Sequence, residues 1–470
     1  MDITKVQIPG GTVLNIKDAQ ARDTLDTLVQ NLPIVPSDPN SYAYVAGYIS
    51  KVIPANSVST IYIDESQSDR SHYVKITGDI AVNKDENGNI TGVKDPSTNV
   101  ISWIRANSKL YVGRYYDDAY LNELVVKPIS EESCPQYDST RSVDDNDAST
   151  NQYMKLPTFW YKCTNTDTGC YIDFTHDENV ADSSWNMWDG DTFIGSYKAN
   201  LCGSHVDTFK SGGSYDVNHM CLTSQYGSKP STWFSWSDAR TITRNMGDGF
   251  SMVTYDSHKI MEILFYAWYG DVRSQQICGA GASVPSWDNK SHLNGRVMDE
   301  VTDFVDTVAS DNPTCNHFWG LCDWWGNVYE WIDDVRTLGY NNNIVIPDAY
   351  DGDSHLVTVG ILNYDGSINR VFHDTAYVDG LTTKKKWGKY ADVIPVQTTN
   401  NYDDYNDGGY TVYGYVGDGF GFVARRSYSS DSSDGGAGYL GVSNGPGNRD
   451  SGCGSRLQYH GPWAECENFD

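Results

Sequence analysis

The chain lacks the marks of most catalytic and membrane classes. Its ten cysteines include no C-x-x-C pair, which argues against a zinc ribbon. No apolar run approaches a membrane span, and Met1 to Gln30 carries no apolar stretch flanked by basic residues. Neither a spanning helix nor a secretory leader is therefore expected, and synthesis in a cytoplasm is. Basic residues are scarce: 34 Lys plus Arg stand against 62 Asp plus Glu, a formal net charge of −28. Such a field repels phosphate backbones and anionic bilayers, so no nucleic acid and no membrane insertion are expected. The ten histidines are scattered, and no nucleophile stands beside a base, so no catalytic residues are assigned. Asp85-Glu86-Asn87-Gly88-Asn89 lacks the ligand spacing of a calcium loop and reads as a hairpin turn.

Aromatic residues are abundant instead, at 13% with 33 Tyr and 14 Trp. Large rings hold loop-rich folds together, and exposed Tyr and Trp are favoured at interfaces. The 470 residues suit roughly two or three domains, and punctuation divides them into 1–32, 33–98 and 99–470. In the first, Leu25, Leu28, Val29 and Leu32 step in threes and fours before Pro33 and Pro36, predicting an amphipathic helix. One short helix is marginal alone, so this segment is expected to attach and to oligomerise, as a homotrimer.

The second segment alternates like a small β-rich spacer, as in Ser59-Thr60-Ile61-Tyr62-Ile63 and His72-Tyr73-Val74-Lys75-Ile76. Val100 to Arg105 and Lys109 to Val112 read as paired strands, and Leu156 to Lys162 with Cys170 to Phe174 as a hairpin. Trp236 opens a helix ending near Gly247, Phe250 to Val253 reads as a strand, and a second helix starts at Ser257 as its N-cap. Ile260, Leu264 and Trp268 give that helix an apolar stripe. The cysteines are expected to be mostly reduced core thiols. Cys163 and Cys170 flank the turn Thr164 to Gly169 and are placed for a hairpin disulfide after release. His258 and His317 are read as structural.

The rarest stretch is Trp319-Gly320-Leu321-Cys322-Asp323-Trp324-Trp325-Gly326-Asn327-Val328-Tyr329-Glu330-Trp331. It resembles the signature of formylglycine-generating enzymes and of the C-type-lectin-like domains related to them. In that family the Asn and Glu tie a turn to the sheet while the aromatics fill the core. The resemblance thus implies scaffold roles for Gly326, Asn327, Val328, Glu330 and Trp331. Gly421-Phe422-Val423-Ala424-Arg425-Arg426-Ser427 resembles the family's Arg-rich strand and Gly454-Ser455-Arg456-Leu457 its closing strand, adding Arg425 and Arg456. The implied fold class is α+β: a C-type-lectin-like domain of the formylglycine-generating-enzyme type, preceded by an N-terminal helix and a small β-rich domain. The family's oxidases hold copper through a cysteine pair beside the Arg-rich strand, because soft thiolates select Cu(I). Gly419 to Tyr439 contains no cysteine, so an oxidase or another enzyme on the same fold is the runner-up and no cofactor is expected.

A narrower resemblance is carried by Ser432 to Leu457, rich in Gly, Ser, Asn and Asp. It is similar to the variable region of retroelement-diversified receptor-binding proteins of bacteriophages, which keep this fold and vary one C-terminal surface, here about 425–461. The resemblance implies a ligand-binding face of Tyr439, Gly441, Ser443, Asn444, Gly445, Gly447, Asn448, Arg449, Asp450, Gly452, Gln458, Tyr459 and His460. Arg449, Tyr459 and His460 are its expected anchors. Ile8 to Arg22 resembles the opening of phage tail-fibre and tail-tip proteins, a short strand followed by a helix. The implied function is a tail-tip adhesin of the virion that binds a bacterial surface receptor, protein or glycan, and joins a phage tail protein through its N-terminus. A calcium-dependent lectin is a further alternative: Glu-Pro-Asn and Gln-Pro-Asp loops are absent, but Asp403, Asp404 and Asp407 could hold an ion. The Asn/Asp-rich stretch between Trp331 and Gly421 reads as an insertion near the binding face.

Overall fold

The computed structural model describes residues 5–7, 13–15, 58–66, 74–117, 122–129, 151–203, 217–225, 230–278, 317–341, 355–377, 380–384, 387–389, 397–399, 413–416, 423–426, 436–450 and 452–467. Among these, sheets dominate and helices are few, so the class is α+β with a mainly β character. The helices are α1 (Val100–Asn107), α2 (Trp236–Asn245), α3 (Tyr255–Tyr269) and the short α4 (Ser274–Cys278).

Helix α2 starts with a capping box: the Ser235 side chain accepts from the Asp238 amide while the Asp238 carboxylate accepts from the Ser235 amide. Helix α3 is capped by Thr254, earlier than the expected Ser257, and stops at Gly270, whose φ of 65° lies in the left-handed region that favours glycine and where a Cβ would stand 2.8 Å from Ile80 Cδ1. Nearly every α3 side chain is buried, so this helix is the centre of the fold rather than a surface element. The expected strand at Val100 to Arg105 is instead α1. Asn99 caps it by accepting from the Ser102 amide, and Val100, Ile101 and Ile104 fall on one buried helical face. The β-branched residues that suggested a strand are outvoted by cap and packing.

A seven-stranded sheet runs in the order Phe250–Met252, Arg456–His460, Thr192–Lys198, Asn151–Lys155, Lys109–Asp117, Asn122–Ile129 and Trp463–Glu465. All its pairings are antiparallel except the last. The strands ending at His460 and starting at Trp463 stand second and seventh in that order. A flat sheet would separate them by about 24 Å, whereas three residues of chain reach about 10 Å. The sheet therefore coils until its ends nearly meet, as the bond from the Leu124 amide to the Pro462 carbonyl (3.0 Å) records. A nine-stranded sheet is built on the long strand Tyr329–Asn341, which pairs with Val423–Arg426, His355–Leu362 and the short Cys453–Gly454.

A five-stranded sheet holds the expected hairpin, Phe159–Asn165 with Gly169–Thr175. Val58–Asp64 adds to it from the segment read as a separate spacer, with Ile61 opposite Ile172. Ile61 and Ile63 are fully buried in the same core as α3 and Trp319, Trp324 and Trp325. The described part of 33–98 is thus joined to the rest by sheet and core. The Asp85 turn links Val82–Lys84 to Ile90–Val93, its carboxylate occupied by the Asn87 and Asn89 amides. Lys5–Gln7 and Val13–Asn15 pair with each other. The expected N-terminal helix, and Asp403, Asp404 and Asp407, lie outside the described residues.

Candidate functional site

The Trp319–Trp331 stretch is a tight knot of backbone. Trp319, Gly320, Asp323, Gly326 and Asn327 all take left-handed conformations, with φ of 52°, 95°, 50°, 80° and 60°. Glycine, Asn and Asp accept this region readily, but for Trp319 it costs roughly 1–2 kcal/mol. Burial holds it there: Trp319, Trp324, Trp325 and Trp331 are each at most 1% exposed. The Asn327 amide donates to the Asp323 carboxylate at 2.9 Å, closing the knot.

Glu330 leaves the knot on the next strand and gathers charge. Lys198 Nζ and Arg456 Nε donate to its Oε1, both at 2.9 Å, and His258 Nε2 lies 2.9 Å from Oε2. Trp324 Nε1 donates to His258 Nδ1 at 3.1 Å, which assigns the ring proton to Nε2 and makes His258 a neutral donor to Glu330. Arg456 completes its bonding with the carbonyls of Gly195 (2.8 Å) and Cys322 (2.8 Å). Burial alone would raise the Glu330 carboxyl, but Arg456, Lys198 and His258 outweigh it and hold it well below the usual carboxylate range. Lys198 is pulled down from the ordinary lysine range by burial, with Glu330 opposing. Glu330, Lys198 and Arg456 are fully buried. The cluster is therefore a buried clasp joining four segments, those of Lys198, His258, Glu330 and Arg456. Arg425 lies on the neighbouring strand, in register with Trp331 and Gly441.

Beside the clasp, Asn444 to Asp450 emerge as one loop, with Gly447, Asn448 and Arg449 exposed and Asn444, Gly445 and Asp450 half-buried. Its backbone is fixed at both ends. The Ser237 amide donates to the Pro446 carbonyl (3.0 Å) and the Trp233 amide to the Asp450 carbonyl (3.1 Å). Arg449 Nε donates to Asp238 at 2.9 Å. Burial would raise that carboxyl, but bonds from Arg449 and Ser235 outweigh it and keep it low. A Cβ built on Gly447 meets nothing within 4 Å, and one on Gly445 comes no closer than 3.7 Å to the Asn448 side chain.

The expected binding face is not one patch. Asn444, Gly445, Gly447, Asn448, Arg449 and Asp450 come together on the loop. Tyr439, Gly441, Gly452, Gln458 and Tyr459 are buried, which corrects their assignment to the outer face. The strand Arg456–His460 lies inside the sheet with both faces covered. Gln458 accepts from Ser257 Oγ (2.6 Å) at the start of α3, while Tyr459 packs on Phe250 with ring centroids 4.8 Å apart. Alternate residues therefore both turn inward, and Tyr459 is no anchor. His460 is 54% exposed and pairs with Asp189 at 3.0 Å. It follows the far end of α2, through the His460 amide bond to the Gly249 carbonyl, whereas Arg449 sits at the first turn. About 15 Å of helix separates the two. Of Ser443, only its place on the strand Leu440–Asn444 is described.

Two features escaped the sequence reading. Lys198 looked like any strand lysine, and only the fold brings it to Glu330. Trp387, 1% exposed, pins the insertion: its backbone bonds Asn165 in both directions (2.8 and 2.7 Å), and Lys259 Nζ stands 3.9 Å over its ring. Of the expected thiols, Cys163, Cys170, Cys278, Cys322, Cys453 and Cys466 stand outside any disulfide. Cys221 is disulfide-bonded and stands opposite Cys202 in its ladder, which corrects the expectation for that residue. Among the described residues, no three metal-ligating side chains converge. No family model matches the chain, and no curated protein matches it.

Proposed function

We propose that the protein is a binding module rather than an enzyme: a retroelement-diversified receptor-binding protein of a phage tail-fibre tip, built on a C-type-lectin-like scaffold of the formylglycine-generating-enzyme type. The observation that carries the proposal is a contrast within one short stretch. At Gly445 and Gly447 an added side chain has open space. At Gly454 a Cβ would stand 2.9 Å from both the Ser231 carbonyl oxygen and Val328 Cγ2. A loop that accepts almost any side chain, anchored on backbone that accepts none, can change its contacts without unfolding its support. The buried clasp, which offers a substrate nothing to touch, favours binding over catalysis.

On this reading Asn444, Gly445, Gly447, Asn448, Arg449 and Asp450 face the receptor, a protein or glycan of a bacterial surface, and His460 is a separate contact point. The N-terminal segment joins the tail and assembles a homotrimer in the virion. The test is adsorption of the full chain to a panel of bacterial strains, with a thermal melt for each variant. Gly447→Trp and Arg449→Ala are expected to change adsorption about tenfold or more while melting stays nearly constant, since exposed substitutions cost little stability. Parent-like adsorption by both variants would remove the loop from the binding face. A near-identical template repeat and a reverse-transcriptase gene beside the coding sequence are the expected genomic companions.

A further inference from the structure

One reactive pair takes no part in the clasp or the loop. Cys163 and Cys170 sit on the two arms of the hairpin Phe159–Asn165 and Gly169–Thr175. Cys163 faces Ile172 across the ladder and Cys170 faces Asn165, so both thiols share one face, a diagonal step apart. The right-handed twist of a hairpin draws one of its diagonals together. Here the Cys163 side chain is the largest influence on the Cys170 thiol. Both are free, Cys170 buried and Cys163 half-buried. Their neighbours belong to the insertion's anchor. Asn165, opposite Cys170, holds the Trp387 backbone, and Glu65, which also acts on Cys170, accepts from Trp387 Nε1 at 3.3 Å.

We propose that Cys163 and Cys170 form an oxidisable pair that closes to an intrachain disulfide in an oxidising medium and rivets the hairpin beneath Trp387. The inference stands whether or not the Asn444–Asp450 loop binds a receptor. With a small-molecule disulfide as oxidant, the more accessible Cys163 gives its proton to solvent, attacks one reagent sulfur and expels a thiolate. The Cys170 sulfur then attacks the Cys163 sulfur of the mixed disulfide, loses its own proton and expels the second thiolate. Two protein thiols become one disulfide while the reagent disulfide becomes two thiols. The contact with Cys163, then burial, pushes the Cys170 thiol up, so the second step is slow and quickens as pH rises.

Trypsin isolates the pair: no Lys or Arg lies between Lys162 and Lys198, so one peptide carries Cys163 and Cys170 and no other cysteine. The full chain is incubated with oxidised glutathione at about pH 8, alkylated and digested without reduction. The expected peptide has lost two hydrogens and carries no alkyl group, and dithiothreitol restores two alkylatable thiols. Cys163→Ser and Cys170→Ser abolish the hydrogen loss. The oxidised chain is expected to melt about 2–8 °C higher than the reduced one. A doubly alkylated peptide after oxidation, retained glutathione or a link to another peptide would overturn the pairing. A disulfide formed with no change in melting would overturn the rivet.

Discussion

Glu330 stands between two buried cations that would otherwise repel each other, so its removal differs from the loss of an ordinary hydrogen bond. Glu330→Ala leaves Lys198 and Arg456 uncompensated and is expected to cost about 3–5 kcal/mol, measured by denaturant unfolding. Asn327→Ala loses one buried bond and puts Ala at a left-handed φ, for about 1–3 kcal/mol. A Glu330→Ala cost no larger than that for Asn327→Ala would show that the clasp is not charge-driven. Two of the buried carboxyls, Glu330 and Asp334, respond to pH in opposite senses. Glu330 is held low, so its contribution is complete above the ordinary carboxylate range and lost as pH falls through the folded value. Asp334 is pushed up to about 7, first by burial and then by the Asp333 and Asp256 charges, although the Tyr255 amide donates to it. The fold therefore prefers Asp334 protonated, and stability falls as pH rises from the ordinary carboxylate range through 7. Asp334→Asn is expected to raise the melting temperature at pH 8, with the gain shrinking toward pH 5. Melts across that range decide it, and a constant difference would contradict the assignment.

Helix α2 links the capping box to the display loop through one residue, because Asp238 bonds both the Ser235 amide and Arg449. Ser235→Ala is expected to cost about 0.5–2 kcal/mol by thermal unfolding, whereas Arg449→Ala leaves the cap in place. The elements legible in the sequence were those whose signals are local. The run from Trp236 marks the start of α2, and the Trp319–Trp331 stretch stands out by its motif, although its left-handed backbone was not foreseen. The hairpin around Gly169 follows from alternation and a turn. Non-local facts were illegible. Val100 to Asn107 carries strand-like residues, and its helix depends on Asn99 and on packing against α3. Gln458 and Tyr459 alternate like a one-sided strand, and only the sheet order shows that both faces are covered. Lys198 and Trp387 find partners more than a hundred residues away, a distance no periodicity reports.

At the scale of the molecule, Trp387 is the point where the insertion meets the five-stranded sheet. Trp387→Ala removes a buried ring and the Lys259 contact and is expected to cost about 3–5 kcal/mol. It should also speed proteolysis between Leu338 and Tyr415, which a timed digest of parent and variant would reveal. Assembly is a separate matter. On the proposed reading, light scattering is expected to give a trimer for the full chain and a monomer once residues 1–32 are removed, since like subunits would cover the apolar spacing of Leu25, Leu28 and Leu32. A monomer in both would end the trimer proposal.

The coiled seven-stranded sheet also fixes when the protein can finish folding. Arg456–His460 slots between Phe250–Met252 and Thr192–Lys198, and Arg456 brings Glu330 its second cation. A nascent chain that has not yet released these residues from the ribosome holds two unfilled strand edges and leaves Glu330 without its Arg456 hydrogen bonds. The core must therefore wait until Arg456–His460 has been made, and such long-range pairing is slow. A chain ending at Ser455 is expected to show no cooperative melt, although the partners of Arg456–His460 on both neighbouring strands are present.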